Sequence, residues 1–240
     1  MRADLTAIVY TAIAASANLI GAAAVVSRSN WSVRALENMV AFSAGFMVSV
    51  ALLDLAPEGI KMHGEKAAII ILGGYLLVHL TQHTLAPHFH FGEEKHHVTK
   101  VVSFSALAGL MLHTFVDGVA IASGFGVNPA VGMLVFLAIL LHKLPEGLAI
   151  SSLFLASGES RAAALGASAA LAVSSLIGAI LTQQIPLLGQ YGVPLAAGVT
   201  LYVGASNLVP EFQGKREWRL PLSFFAGCVI YYFTRRLMGA

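Results

Sequence analysis

The sequence predicts an all-α, polytopic membrane protein: eight transmembrane helices in an inverted-repeat helical bundle. Of its 240 residues, 57% are hydrophobic and only 11% charged, where a soluble domain carries about 25% charged residues. Apolar runs of the ~20 residues needed to cross ~30 Å of hydrocarbon recur along the whole chain. A short pattern also repeats in its two halves. Asp54-Leu-Ala-Pro-Glu58 closes the second run and Asn207-Leu-Val-Pro-Glu211 closes the seventh. Two spans of such parity run in opposite directions, and repeats of opposite topology around a central pair are a transporter plan.

The spans fall at 4–27, 36–56, 67–87, 100–124, 130–155, 161–184, 192–212 and 219–238. The first follows Arg2 and Asp4, is long for a signal-peptide core and has no clear cleavage site, so it reads as a retained span. Breaks are marked by Ser27-Arg-Ser-Asn30, Pro57-Glu-Gly59, Gly126-Val-Asn-Pro129, Ser157-Gly-Glu-Ser160 and Gly214-Lys-Arg-Glu217, where glycine, proline and charge interrupt the apolar pattern. Between spans six and seven the break rests on Gln183-Gln-Ile-Pro186 and Gly189-Gln-Tyr-Gly192. No loop is long enough for a separate domain, so residues 1–240 are expected to form one transmembrane transporter domain. Gly21-Ala-Ala-Ala24, Gly166-Ala-Ser-Ala169 and Ala196-Ala-Gly198 supply small surfaces on which membrane helices approach closely.

Lysine and arginine in the loops set orientation. Arg2, Lys61, Lys66, Arg235 and Arg236 fall on the side of both termini. Arg28, Arg34, Lys95, Lys100, Arg161, Lys215, Arg216 and Arg219 fall on the other. The excess places both termini outside the cytoplasm, in an integral protein of the plasma (inner) membrane, although Arg235-Arg236 pulls the other way. A net charge of +2 with no basic run excludes a nucleic-acid partner. The lone Cys228 excludes an intrachain disulfide and reads as a small packed side chain.

Spans four and five each carry a pentad deep in an apolar run. His113-Thr-Phe-Val-Asp117 is followed by Gly118 and Ala120-Ile121, and His142-Lys-Leu-Pro-Glu146 by Gly147 and Ala149-Ile150. A spacing of four puts imidazole and carboxylate on one helix face. Two such faces opposed would offer two nitrogens and two carboxylates to a divalent cation. Ionisable groups at membrane depth are functional by default. A purely structural hydrogen-bond network would satisfy their polarity but would not explain why both recur beside Gly-x-Ala-Ile. Pro145 deprives the Leu141 carbonyl of its helical partner and predicts a kink beside His142 and Glu146.

His-x-x-x-Asp-Gly-x-Ala-Ile followed by His-Lys-x-Pro-Glu-Gly-x-Ala resembles the ZIP (Zrt-, Irt-like protein) family of divalent-metal transporters, and the likeness runs over nearly the whole chain. The resemblance implies that His113, Asp117, His142 and Glu146 are ligands of a transmembrane metal site. It implies uptake toward the cytoplasm by alternating access, with helices one, four, five and six sliding as a unit. It also implies a homodimer and no enzymatic activity. Ala44-Gly-Phe-Met47 resembles the second-span segment that can add a thioether, which makes Met47 a further ligand candidate; a gap-filling core methionine is the equal alternative.

Many members resemble a binuclear design, with Asn after the fourth-span histidine and an acid at the matching place in the fifth. Here those places hold Thr114 and Lys143, and span six carries no acid. The Lys143 ammonium is therefore expected to stand in for the second cation and to balance Asp117 and Glu146, rather than to snorkel to an interface. A buried lysine could also lose its proton when metal arrives.

His79 and His83, with His88, His90, His96 and His97 of the third loop beside Glu93 and Glu94, form a metal-collecting tract. An access path would run from Asp54 and Glu58 through the central ligands to Asn207, Glu211 and the histidine loop. Ordinary helix-end solvation is the plain alternative for the end carboxylates. Two imidazoles with two carboxylates suit Zn(II) as the transported substrate, and also Cd(II), Fe(II), Mn(II) or Co(II). Proton release from His113 or His142 would couple binding to pH. No cofactor is expected. An intramembrane metalloprotease would want His-Glu-x-x-His, and the first pentad lacks both its Glu and its second His. A haem between His113 and His142 is the third reading, which the paired acids disfavour.

Overall fold

A computed structural model describes residues 2–27, 32–85, 100–209 and 217–237. Among the described residues every regular element is helical. They are α1 (Arg2–Ser27), α2 (Val33–Val50), a π-helical turn (Ala51–Leu55), α3 (Ala56–His63), α4 (Glu65–Leu85), α5 (Lys100–Val127), α6 (Pro129–Ala156), α7 (Arg161–Gln184), α8 (Pro186–Tyr202), a second π-helical turn (Val203–Leu208) and α9 (Arg219–Leu237). Because α2, the first π turn and α3 are continuous, as are α8 and the second π turn, these elements make eight rods. Five rods are long and apolar enough to cross a membrane by length and composition: Leu5–Ser27, Ala41–His63, Ser103–Val127, Pro129–Leu155 and Arg161–Gln184. Large apolar side chains such as Leu5, Ile20, Phe225 and Phe233 face outward, as lipid requires of a bundle that satisfies its backbone internally.

Local chemistry explains most boundaries. Asn128 caps α6 by accepting from the Val131 amide at 3.0 Å, and Ser160 caps α7 by accepting from the Ala163 amide at 3.1 Å. Gly64 (φ 58°) ends α3 and Gly158 (φ 80°) turns the chain between α6 and α7, a conformation that glycine adopts without steric cost.

Two expected breaks are corrected. Pro57-Glu-Gly59 does not end the second span, which continues to His63. The π turn lets the Ala56 amide reach back to the Ala51 carbonyl, so Pro57 falls at the start of α3 where no amide is needed. Between spans six and seven only Ile185 leaves the helix, and Pro186 opens α8. Gly189 and Gly192 are helical interior, so span seven begins at 186 and not 192. The expected kink at Pro145 does not break α6, which runs through it.

Glycines report the inverted repeat. Gly21 of α1 lies against the Leu144 carbonyl of α6, and Gly178 of α7 against the Phe115 carbonyl of α5. Gly147 faces the Asn18 carbonyl of α1, and Gly118 the Ser175 carbonyl of α7. Each contact has a partner obtained by exchanging α1 with α7 and α6 with α5. The outer helices obey the same exchange. Gly45 and Gly227 seal α2 to α9 through the Phe224 and Phe42 carbonyls, and Gly198 and Gly74 seal α8 to α4 through the Ile71 and Leu195 carbonyls. A pseudo-two-fold between α5 and α6 therefore relates the first three rods to the last three. The two π turns correspond under it, and each holds the first residues of a matched pentad, Asp54-Leu55 in one and Asn207-Leu208 in the other.

A Cβ at Gly118 or Gly147 would collide with backbone, which cannot swing aside. Gly118→Val and Gly147→Val are each expected to cost at least about 3 kcal/mol, the upper end of overpacking penalties. Gly73→Ala and Gly166→Ala, where a Cβ meets open space, are expected to be neutral or to stabilise by up to ~1 kcal/mol through helix propensity. Thermal unfolding of the detergent-solubilised protein would separate the two pairs.

Candidate metal centre

α5 and α6 cross at mid-span and bring the two pentads face to face. His113, Asp117 and His142 are at most 1% exposed and Glu146 6%. One potential ligand atom from each of these four residues can be chosen so that all lie within 4.8 Å of one another. The imidazole rings of His113 and His142 are 5.7 Å apart and tilted by 33°.

Asp117 is the hub. Its Oδ2 lies 3.4 Å from His113 Nε2, 3.3 Å from His142 Nε2 and 2.7 Å from Lys143 Nζ. Lys143 is wholly buried and also donates to Glu146 Oε2 at 2.8 Å. Its ammonium therefore bridges the carboxylates instead of snorkelling to an interface. Thr114, in the corresponding place on α5, donates to the Met111 carbonyl at 3.1 Å.

Several polar atoms at the cluster have no hydrogen-bond partner: both ring nitrogens of His113, Asp117 Oδ1 and Glu146 Oε1. Buried polar groups are rarely left so. His142 Nδ1 lies 3.2 Å from the Ala138 carbonyl. The Ala138 carbonyl and the Asp117 carboxylate are both acceptors, and the ring is held between them by Nδ1 on one side and Nε2 on the other. Metal-ligating histidines are oriented in this way, through a hydrogen bond from the second nitrogen. Two carboxylates, two imidazoles and the Lys143 side chain thus share one buried volume. Chemically it is the mixed nitrogen and oxygen donor set that suits a divalent transition-metal ion.

Met47 is buried on α2, which packs against α6. Asp54 is not a free helix-end carboxylate: only 4% exposed, it accepts from the Tyr231 hydroxyl and, at 2.5 Å, from Arg235 Nε. Sequence reasoning misses that partnership, because it counts Arg235 among the loop charges. The signal available is a tyrosine and an arginine four apart on the last helix, across from an acid in an apolar run. Glu58 pairs with Lys61 at 3.1 Å. Asn207 lies on the second π turn, where Tyr75 and the neighbouring Ser206 share a hydrogen bond of 2.7 Å that ties α4 to the turn. Glu211, His88, His90, His96 and His97 lie outside the described residues, as do the side chains of Asn207 and His83.

Fold and cluster together define a class: a helical membrane protein of inverted-repeat design that buries metal-type side chains between its two central spans. Within that class, the sequence profile described as ZIP zinc transporter matches residues 88–233, including both pentads, and the chain belongs to that family. The resemblance carried by the pentads is borne out. The chain is 29% identical over 184 residues to the zinc transporter zipt-7.1 of Caenorhabditis briggsae, covering 68% of this chain and 47% of that protein. It is 23% identical over 200 residues to the zinc transporter ZIP13 of Pongo abelii, covering 77% and 61%. The zinc transporter YKE4 of Saccharomyces cerevisiae is 23% identical over 240 residues, covering 81% and 69%. The chain thus spans about half to two thirds of the length of these relatives.

Proposed function

We propose that the chain is a transporter of divalent transition-metal ions, zinc first among them, and that it moves them into the cytoplasm by alternating access. The observation that carries this is the buried group His113, Asp117, His142 and Glu146, with ligand atoms within 4.8 Å and several without partners. Zinc as the substrate is supported by the relatives, which are zinc transporters. Cd(II), Fe(II), Mn(II) and Co(II) suit the same donors.

Alternating access is supported by where the closest helix contacts fall. Glycines meeting backbone seal α1 to α6, α5 to α7 and α5 to α6, as they do α2 to α9 and α4 to α8. Between these groups, the atoms nearest Gly192 of α8 belong to the side chains of Ser123 and Val119 on α5, and Ser123 Oγ donates to the Leu188 carbonyl at 2.8 Å. A four-helix unit could slide against the rest at such a boundary. Asp54 and Glu58 at one mouth, Glu211 and the histidine loop at the other, and Met47 beside the centre complete the proposed path. Lys143 is the built-in second cation, and the site holds one metal. Residues 1–240 act as one transporter domain, in a homodimer of the plasma (inner) membrane with termini outside.

The test is zinc uptake by proteoliposomes of the purified protein. Uptake well above empty vesicles, with one tightly bound central ion per chain, is the expected result. No uptake of any divalent ion by folded protein would overturn transport, and two tightly bound central ions would overturn the role of Lys143. The metalloprotease alternative has no His-Glu-x-x-His on either central helix.

A further inference from the structure

Two buried polar side chains, on the helices packed against α6 and α5, serve nothing already described. Asn18 of α1 is wholly buried, and both atoms of its carboxamide lack hydrogen-bond partners. Ser175 of α7 is 2% exposed and its hydroxyl lacks one too. They are not a random pair. Asn18 is the residue whose backbone meets Gly147, immediately after Glu146, and Ser175 is the one whose backbone meets Gly118, immediately after Asp117. The pseudo-two-fold that exchanges α5 with α6 therefore exchanges Ser175 with Asn18. Each half of the molecule sets the backbone of one buried, neutral polar residue against the glycine that follows its own ligand carboxylate.

Leaving a carboxamide unsatisfied in a protein interior costs about 1–3 kcal/mol, and a membrane core supplies no bulk water to relieve it. Alternatives were at hand on these same helices. Ser168 spends its hydroxyl on the Asn18 carbonyl at 2.9 Å, and Ser174 on the Met111 carbonyl at 2.7 Å. Asn18 and Ser175 do not do this, although Asp117 Oδ1 and Glu146 Oε1 are left without partners on the adjoining helices. Neutral oxygen donors of this kind suit the hydration shell of a divalent cation. They can hold it without the charge that would trap it.

We propose that Asn18 and Ser175 form a pair of neutral polar stations on either side of the charged cluster, binding the divalent cation or its bound water as it enters and leaves the four ligands. This rests on the transport reading above and adds α1 and α7 to the route. The carboxamide is the stronger donor set of the two and carries the larger effect.

The probe is zinc, with the full chain in proteoliposomes and, separately, in detergent. In Asn18→Leu, which keeps the volume and removes both polar atoms, uptake per folded protein is expected to fall by about tenfold, as when an outer partner of a metal site is removed. Equilibrium zinc binding to the cluster should persist, and thermal stability should hold or rise because an unsatisfied group has been removed. Asn18→Ser, which restores a hydroxyl like that of its symmetry mate, should recover much of the rate. Ser175→Ala should show a smaller loss. Unchanged uptake in Asn18→Leu would overturn the proposal. So would a fall in uptake that follows a fall in unfolding temperature in both Asn18 variants, since that marks a structural carboxamide. Absence of uptake by the wild type would overturn the transport reading instead, and the two failures are distinguishable.

Discussion

Asp117→Asn is expected to abolish zinc uptake while leaving the metal-free protein as stable as the wild type, or more so. The carboxylate is the meeting point of both histidines and Lys143 through one oxygen, and its second oxygen is free. Asparagine keeps the shape and can still accept from Lys143. It also leaves Lys143 its contact with Glu146 at 2.8 Å, so the ammonium keeps a carboxylate partner. It removes the anionic donor that a divalent ion needs. Zinc affinity is expected to fall more than about 100-fold, since even outer partners of metal ligands are worth 10- to 100-fold. Titration in detergent measures the affinity, thermal unfolding the stability and proteoliposomes the uptake. A variant that binds zinc as tightly as wild type would remove Asp117 from the ligand set. One that merely unfolds would make the pentad a structural network, so the combination of retained stability and lost binding is the informative outcome.

The central chemistry is legible in the sequence because it is local. A histidine and a carboxylate four apart share a helix face whatever the rest of the chain does, and the repeated Gly-x-Ala-Ile marks the two helices as related. Outside the two central helices, the inverted repeat shows in the sequence as the matched pentads at 54–58 and 207–211. Its decisive marks are single glycines whose significance lies in which carbonyl they meet, and that is set by tertiary packing. Pro57 misleads for a physical reason: proline ordinarily ends a helix, but a π turn just before it shifts the hydrogen-bond register so that its missing amide is harmless. Arg235 misleads because a basic residue near a helix end looks like a loop charge until a buried acid is found opposite. Asn18 and Ser175 cannot be singled out from sequence, since an isolated polar residue in a small-residue helix carries no pattern.

Lys143→Met separates the two roles a buried ammonium can have. Lys143 holds Asp117 at 2.7 Å and Glu146 at 2.8 Å with no exposure to solvent. Methionine fills similar volume but leaves two buried carboxylates facing each other without a fixed cation. Breaking a buried ion pair by removing one partner costs about 3–5 kcal/mol, and here one group balances two. The metal-free variant is therefore expected to be strongly destabilised. Zinc should restore much of this, because a ligand at 100 times its Kd adds about 2.7 kcal/mol to the folded state. The wild type, with its own cation in place, should gain less from the same zinc concentration above background. If Lys143 stands where a second ion would otherwise sit, Lys143→Asp, which replaces the charge by a third carboxylate, should bind two zinc ions per chain where the wild type binds one. Metal analysis of the dialysed protein reads this directly. A count of one in both proteins, with Lys143→Met as stable without metal as the wild type, would reduce Lys143 to a packed side chain.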